Sequence, residues 1–157
     1  MLRMSKLTDY GLVLLTHMAQ EGTEPPRTAQ GLADRSGVPT PTVSKILKEL
    51  SKTGIVISQR GRHGGYTLAR PADQISVAAV IEALEGPVAL TECSGTEGGC
   101  SLEPTCVARA RWGPISRAIH RTLQRLPVSA LGPRPILGEA RGAPVARSTP
   151  SLTVLNP

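Results

Sequence analysis

Three cysteines, Cys93, Cys100 and Cys106, stand within fourteen residues of one another in the stretch TECSGTEGGCSLEPTC, spaced C-x6-C-x5-C. Gly95, Gly98, Gly99 and Pro104 make the stretch loop-like, so its three thiolates can converge on one metal centre. Structural zinc usually takes four Cys or His ligands in closely paired units, and that pairing is absent here. An iron–sulfur cluster also takes four protein ligands as a rule, mostly thiolates, and tolerates wider spacing. Three cysteines leave one ligand to come from elsewhere, and a non-thiolate fourth ligand is exchangeable, which suits a sensor. Two other readings stand beside these. One is a redox-active thiol pair without metal. The other is three unrelated small residues, although buried structural cysteines favour apolar elements over a Gly-rich acidic loop. The odd count argues against a closed disulfide framework. It fits a reducing cytoplasm, where cysteines more often bind metal or do redox chemistry.

A second group of residues is suited to a polyanion. Thr42, Ser44, Lys45 and Lys48 recur on the outer face of one helical stretch, giving two hydroxyls and two cations for phosphates and base edges. Downstream lies Gln59-Arg60-Gly61-Arg62-His63-Gly64-Gly65, a glycine-rich basic segment between two apolar runs. Glycines permit the tight reversal and a close approach to a nucleic-acid backbone. Arg60 and Arg62 can supply phosphate or minor-groove contacts, with His63, Gly64 and Gly65 beside them.

The elements that must position these groups follow from periodicity. Leu7, Tyr10, Gly11, Leu14, Leu15 and Met18 share one helical face, which predicts a helix over 5–20. Thr28 is a suitable N-cap for a short helix with Ala29, Leu32 and Ala33 inward, ended by Ser36-Gly37. After a Val38-Pro39 turn, Thr40 is the expected N-cap of a third helix, with Pro41 at its first position and Val43, Ile46, Leu47 and Leu50 buried. Ile55-Val56-Ile57 and Tyr66-Thr67-Leu68 read as paired strands. A helix-turn-helix followed by a basic hairpin is a winged helix, with Thr40 at the edge of its DNA-facing helix. Ser76 caps a fourth helix with Val77, Val80, Ile81 and Leu84 inward, ended by Gly86-Pro87. Ile115, Ala118, Ile119, Thr122, Leu123 and Leu126 form an apolar stripe on a last helix whose back carries Arg117, Arg121 and Arg125. A long helix outside a winged-helix core has little to pack on within its own chain, so it is expected to dimerise. The alternative is that it folds back on its own domain. Gly113-Pro114 is expected to kink or restart it.

Charge and composition agree with this division. The formal charge is +6, and residues 27–70 alone hold eight Lys/Arg against two Asp/Glu. Residues 71–106 hold six acids and no Lys/Arg, and 107–126 hold five Arg and no acid. The chain therefore reads as a winged helix-turn-helix DNA-binding domain over 1–86, a cysteine-containing loop over 87–106 and a dimerisation helix over 107–126. The stretch 127–157, with six prolines, reads as a flexible Pro/Gly/Ala-rich tail. The fold class is mainly α with a small β-hairpin. Three aromatic residues and no Phe exclude a core built on large rings. No run approaches the length of a membrane-spanning helix. Asp9 within the first apolar stretch, and the lack of a small-residue cleavage site, argue against a signal peptide. There is no Gly-rich phosphate loop after a strand, no HExxH and no acid–base pair, so the expectation is not an enzyme.

The segments KLTDYGLVLL, LADRSGVPTPTVSKILKEL, RGRHGGYTLARP and ISVAAVIEALEGPVALTECS, then the three-cysteine loop and a Trp just after it, occur in one order. Together they resemble the Rrf-two family, the IscR- and NsrR-type iron–sulfur transcription regulators, over roughly residues 1–126. LTDYG, RGRHGGYTLARP and ALEGPVALTECS are most similar to the branch that regulates SUF iron–sulfur assembly genes. The resemblance implies a homodimer that binds double-stranded operator DNA. It also implies a cluster, 2Fe–2S or 4Fe–4S, held by Cys93, Cys100 and Cys106, whose state changes DNA affinity. In the IscR type a His follows the last Cys by three residues, and here that position is Arg109. In the NsrR type the acidic residue of the N-terminal DY motif comes from the other subunit, and Asp9 matches it. The alternative is that Asp9 serves only the dipole of its own helix. His63 and His120 are lesser ligand candidates. The rival implication is a cluster-free or thiol-sensing winged-helix repressor.

Overall fold

The computed structural model describes residues 4–20, 26–88, 90–91 and 109–132. Cys93, Cys100 and Cys106, and the expected tail from residue 133 onward, lie outside the described residues. Helix α1 (Lys6–Gln20) starts where the Ser5 hydroxyl accepts from the Thr8 amide at 3.2 Å. It buries Leu14, Leu15 and Met18. Helix α2 (Ala29–Ser36) begins at the expected cap, the Thr28 hydroxyl accepting from the Gly31 amide at 3.0 Å. It ends at Gly37 in the left-handed region (φ 70°), a conformation glycine adopts at little cost.

Helix α3 (Thr40–Lys52) buries Val43, Ile46, Leu47 and Leu50 completely, as its stripe predicts. Its start differs from expectation. Thr40 is the first helical residue rather than the cap, and Pro39 caps without a side-chain bond. The Pro39 carbonyl accepts from the amides of both Thr42 and Val43, so the backbone satisfies the helix start. The Thr40 hydroxyl is left free to donate to Gln30 Oε1 on α2 at 3.1 Å.

Strands β1 (Val56–Gln59) and β2 (Gly65–Leu68) form a two-stranded antiparallel hairpin pairing Val56 with Leu68, Ile57 with Thr67, Ser58 with Tyr66 and Gln59 with Gly65. Alternation sets two faces. Val56 and Leu68 are buried against the helices, whereas Ile57 on the other face is exposed. The segment at Arg27 adds a bridge on the far side of β2, with Arg27 and Tyr66 exchanging amide–carbonyl bonds of 2.9 and 2.8 Å.

After a 3-10 turn (Ala72–Gln74), the Ser76 hydroxyl caps α4 (Val77–Glu85), accepting from the Ala79 amide at 3.2 Å. Helix α5 (Arg109–Arg125) runs as one helix through Pro114, so Gly113-Pro114 does not restart it. Proline there forgoes a single bond to the carbonyl four residues back, close to the start of the helix. The chain then returns to the core, so the expected tail does not begin at 127. Val77 donates to the Leu126 carbonyl and Val128 to the Ile75 carbonyl, both at 2.8 Å, ahead of a second 3-10 turn (Val128–Leu131). Val128 is fully buried, and burying a valine contributes roughly 1.5–3 kcal/mol, which a composition rich in Pro, Gly and Ala conceals. No helix among the described residues is long and apolar enough to cross a membrane.

Candidate nucleic-acid interface and cysteine segment

The helix-turn-helix presents its polar residues on the face opposite the buried stripe of α3. Ser44, Lys45 and Lys48 are exposed, and Thr40 and Thr42 are half-buried near the helix start. Thr40 is held by a short relay. Asp34 Oδ1 accepts from Gln30 Nε2 at 2.8 Å, which fixes the amide so that its oxygen accepts from Thr40. Near the C-terminus of α3, Lys52 donates to both oxygens of Glu49 at 2.9 Å. The Lys52 hydrogen bond, followed by the charges of Lys52, Lys48 and Lys45, lowers the Glu49 carboxyl pKa.

At the wing, Arg60, Arg62 and His63 are exposed at the tip, where a polyanion could reach them. Gly64 and Gly65 are half-buried and have a packing cause of their own. A Cβ on Gly65 would lie 2.7 Å from the Arg27 carbonyl oxygen, and one on Gly64 would lie 2.4 Å from the Gln59 carbonyl oxygen. Both glycines therefore let backbone segments close on one another, a role that stands whether or not DNA also approaches them.

The other end of the molecule brings the elements around the cysteine segment together. Glu85, the last residue of α4, accepts from the Ser5 amide at 2.9 Å and from the buried Thr8 hydroxyl. The Thr8 bond is the main reason that its carboxyl pKa lies below the usual range. Asp9 is exposed in the first turn of α1 and lines a groove of about 540 Å³ with Leu12, Val13, Thr16, His17 and Leu131. Helix α5 docks on α4. His120 Nε2 lies 2.9 Å from Glu82 Oε1, and the buried Ser116 hydroxyl accepts from the Leu90 amide at 3.3 Å. The apolar side of α5 is only partly covered by this docking. Ile119 and Leu123 are half-buried, while Trp112, Ile115 and Leu126 are 39%, 45% and 39% exposed. Arg117, Arg121 and Arg125 are exposed.

Sequence reasoning missed Ser58 and Tyr66, which share the hairpin face turned toward α3. It also missed the tie made by Glu85. The first depends on strand register and the second on a pairing across 80 positions, and neither leaves a local mark in the sequence.

Known proteins share this arrangement. The chain is 32% identical to the protein rrf2 of Nitratidesulfovibrio vulgaris over 130 residues, spanning 83% of this chain and 87% of that one. The structure of CymR, described as the global cysteine regulator of B. subtilis, superposes with a TM-score of 0.65 at 26% identity, covering 83% of this chain and 96% of that one. IscR of T. potens does so with a TM-score of 0.63 at 27% identity, covering 83% and 85%. Residues 4–132 match the family model Rrf2, described as an iron-dependent transcriptional regulator, and the chain therefore belongs to the Rrf2 (Rrf-two) family of transcriptional regulators.

Proposed function

We propose that this protein is a homodimeric, iron–sulfur cluster-dependent repressor of SUF cluster-assembly genes whose cluster state changes its affinity for operator DNA. The observation that carries the reading is the placement of the cysteine segment. It is spliced between α4 and α5, which dock on each other, and α4 grips the start of α1 through Glu85. A change in that segment can therefore bias how the DNA-binding domain sits against the dimer helix. Thr42, Ser44 and Lys45 of α3 meet base edges or adjacent phosphates in the major groove, with Thr40 and Lys48 at the flanking backbone. Arg60, Arg62 and His63 meet the neighbouring minor groove or backbone, where Gly64 and Gly65 keep the hairpin slim. The partly exposed apolar side of α5 meets the same helix of a second copy.

The donor set fits a cluster with one exchangeable ligand. Cys93, Cys100 and Cys106 would supply three thiolates, and Asp9 of the partner subunit would supply a carboxylate. Asp9 is solvent-exposed beside a groove, so its carboxylate is available to a second chain. Held by these residues, a cluster would supply chemistry that responds to iron supply and redox state. Absorption and EPR spectra of anaerobically purified protein, with iron and sulfide counts, test this. Asp9→Ala is expected to shift the spectrum and hasten cluster loss, and an unchanged spectrum and lifetime would remove Asp9 from the ligand set.

A second reading rests on the fold likeness to B. subtilis CymR, which is as close as that to T. potens IscR. It is a cluster-free, thiol-sensing repressor. Protein that carries no iron or acid-labile sulfide after anaerobic purification, yet binds DNA in a thiol-dependent way, would favour it.

A further inference from the structure

A valley of about 530 Å³ separates the outer face of α3 from the hairpin, lined by Ser44, Lys48, Ser51, Lys52, Ser58 and Tyr66. Those residues supply four aliphatic or phenolic hydroxyls and two ammonium groups, and no carboxylate is among them. Two of the groups are already engaged within the fold. Ser51 donates to the Val56 carbonyl at 3.3 Å, and Lys52 is held by Glu49. The hydroxyls of Ser44, Ser58 and Tyr66 and the Lys48 ammonium have no hydrogen-bond partner among the described residues. The site is also rigid. Ser58 and Tyr66 are directly paired in the hairpin, and the Tyr66 backbone is held on its other side by both bonds to Arg27. Val56 and Leu68 anchor the same sheet face in the core, so Ser58 and Tyr66 are the next pair out toward solvent.

Duplex geometry says what would pass there. If α3 enters a major groove and the wing reaches the adjacent minor groove, the sugar–phosphate strand dividing the two grooves must cross between them. A phosphodiester has acceptor oxygens and a negative charge and offers no donor, which matches a valley of donors and cations. We infer that this valley seats backbone phosphates of one DNA strand, with Lys48 as the counter-charge and the Ser58 and Tyr66 hydroxyls as neutral clamps that fix the register of α3. The inference rests on the DNA-binding reading above and adds Ser58 and Tyr66 to the interface.

The test uses full-length protein and a fluorescein-labelled random-sequence duplex, with anisotropy measured across a salt series. Random sequence isolates backbone contacts from base readout. Ser58→Ala combined with Tyr66→Phe keeps the ring in place and removes two donors. It is expected to weaken binding by roughly a hundredfold at every salt concentration without changing the salt slope, since each hydrogen bond to a charged group is worth about tenfold or more. Lys48→Ala is expected to reduce the slope of log K against log salt by about 0.9, the value for one phosphate released. Circular dichroism melts should match the wild type for both. Variants that bind the random duplex as the wild type does would overturn the phosphate seat. So would a loss confined to a selected operator, with random DNA unaffected, since that is base readout. Wild-type protein that binds no duplex at all would instead remove the DNA-binding reading beneath it.

Discussion

The helix-turn-helix and hairpin half of this molecule, from α2 to β2, and the half around the cysteine segment are built on different principles. In the first, neighbouring residues do most of the work, the bridge from Arg27 to Tyr66 being the exception. Thr28 caps α2, Gly37 turns the chain, α3 follows at once and the wing is complete by Leu68. In the second, partners are far apart in the chain. Glu85 bonds Ser5, Glu82 meets His120 and Val128 returns to Ile75. The apolar side of α5 is left partly exposed by its own chain. A rigid local reader is thus joined to an assembly of distant segments, and such an assembly can respond to what happens between them.

Substitutions meet different demands in the two halves. The largest effect is expected where the reader meets the core. Leu47→Ala in α3, fully buried, should cost about 2–5 kcal/mol in urea unfolding and abolish DNA binding with it. Surface changes in the same half should separate binding from stability. Lys45→Ala or Arg60→Ala should lose about 1–3 kcal/mol of operator affinity while leaving the melt within about 0.5 kcal/mol. A parallel loss of both quantities would break the distinction between scaffold and reader.

In the other half, Ile115→Glu on α5 should raise the dissociation constant of the proposed dimer at least tenfold by sedimentation, about the value of one buried isoleucine. It should leave the monomer fold intact, because Ile115 is exposed. The smallest effect belongs to Glu85. Its carboxyl is held below its ordinary value of 4.5 in the folded chain, chiefly by Thr8. The stability it adds is therefore complete above about pH 4.5 and is lost as pH falls through the lower folded-state value. Glu85→Gln should flatten that acid limb and change stability near neutrality by at most about 1 kcal/mol, since the group is exposed and screened by solvent.

The same contrast explains what could be seen in the sequence. The caps at Thr28 and Ser76, the stripe of α3 and the hairpin are written in adjacent residues and appear where periodicity places them. The start of α3 moved by one residue because the Pro39 carbonyl satisfies two amides, freeing Thr40 for Gln30. Gly65 reads as a turn glycine in isolation, yet its constraint comes from the backbone of Arg27 far upstream. Val128 is concealed by a proline-rich neighbourhood, and the hydrogen bonds that tie Val128 to Ile75 and Leu126 to Val77, just past α5, draw it inward. Ser58 and Tyr66 look like ordinary hairpin residues until register places them opposite α3.

In the proposed function the two halves are coupled, so that the state of the cysteine segment sets the affinity of α3 and the wing for DNA. Anaerobic titration of one selected operator duplex with cluster-loaded protein, and with the same preparation after cluster removal, measures that coupling directly. Dissociation constants differing by at least about fivefold, the low end of typical coupling between sites, are expected, with Asp9→Ala moving the loaded protein toward the cluster-free value. Equal affinity of the two forms for every site tested would contradict the account.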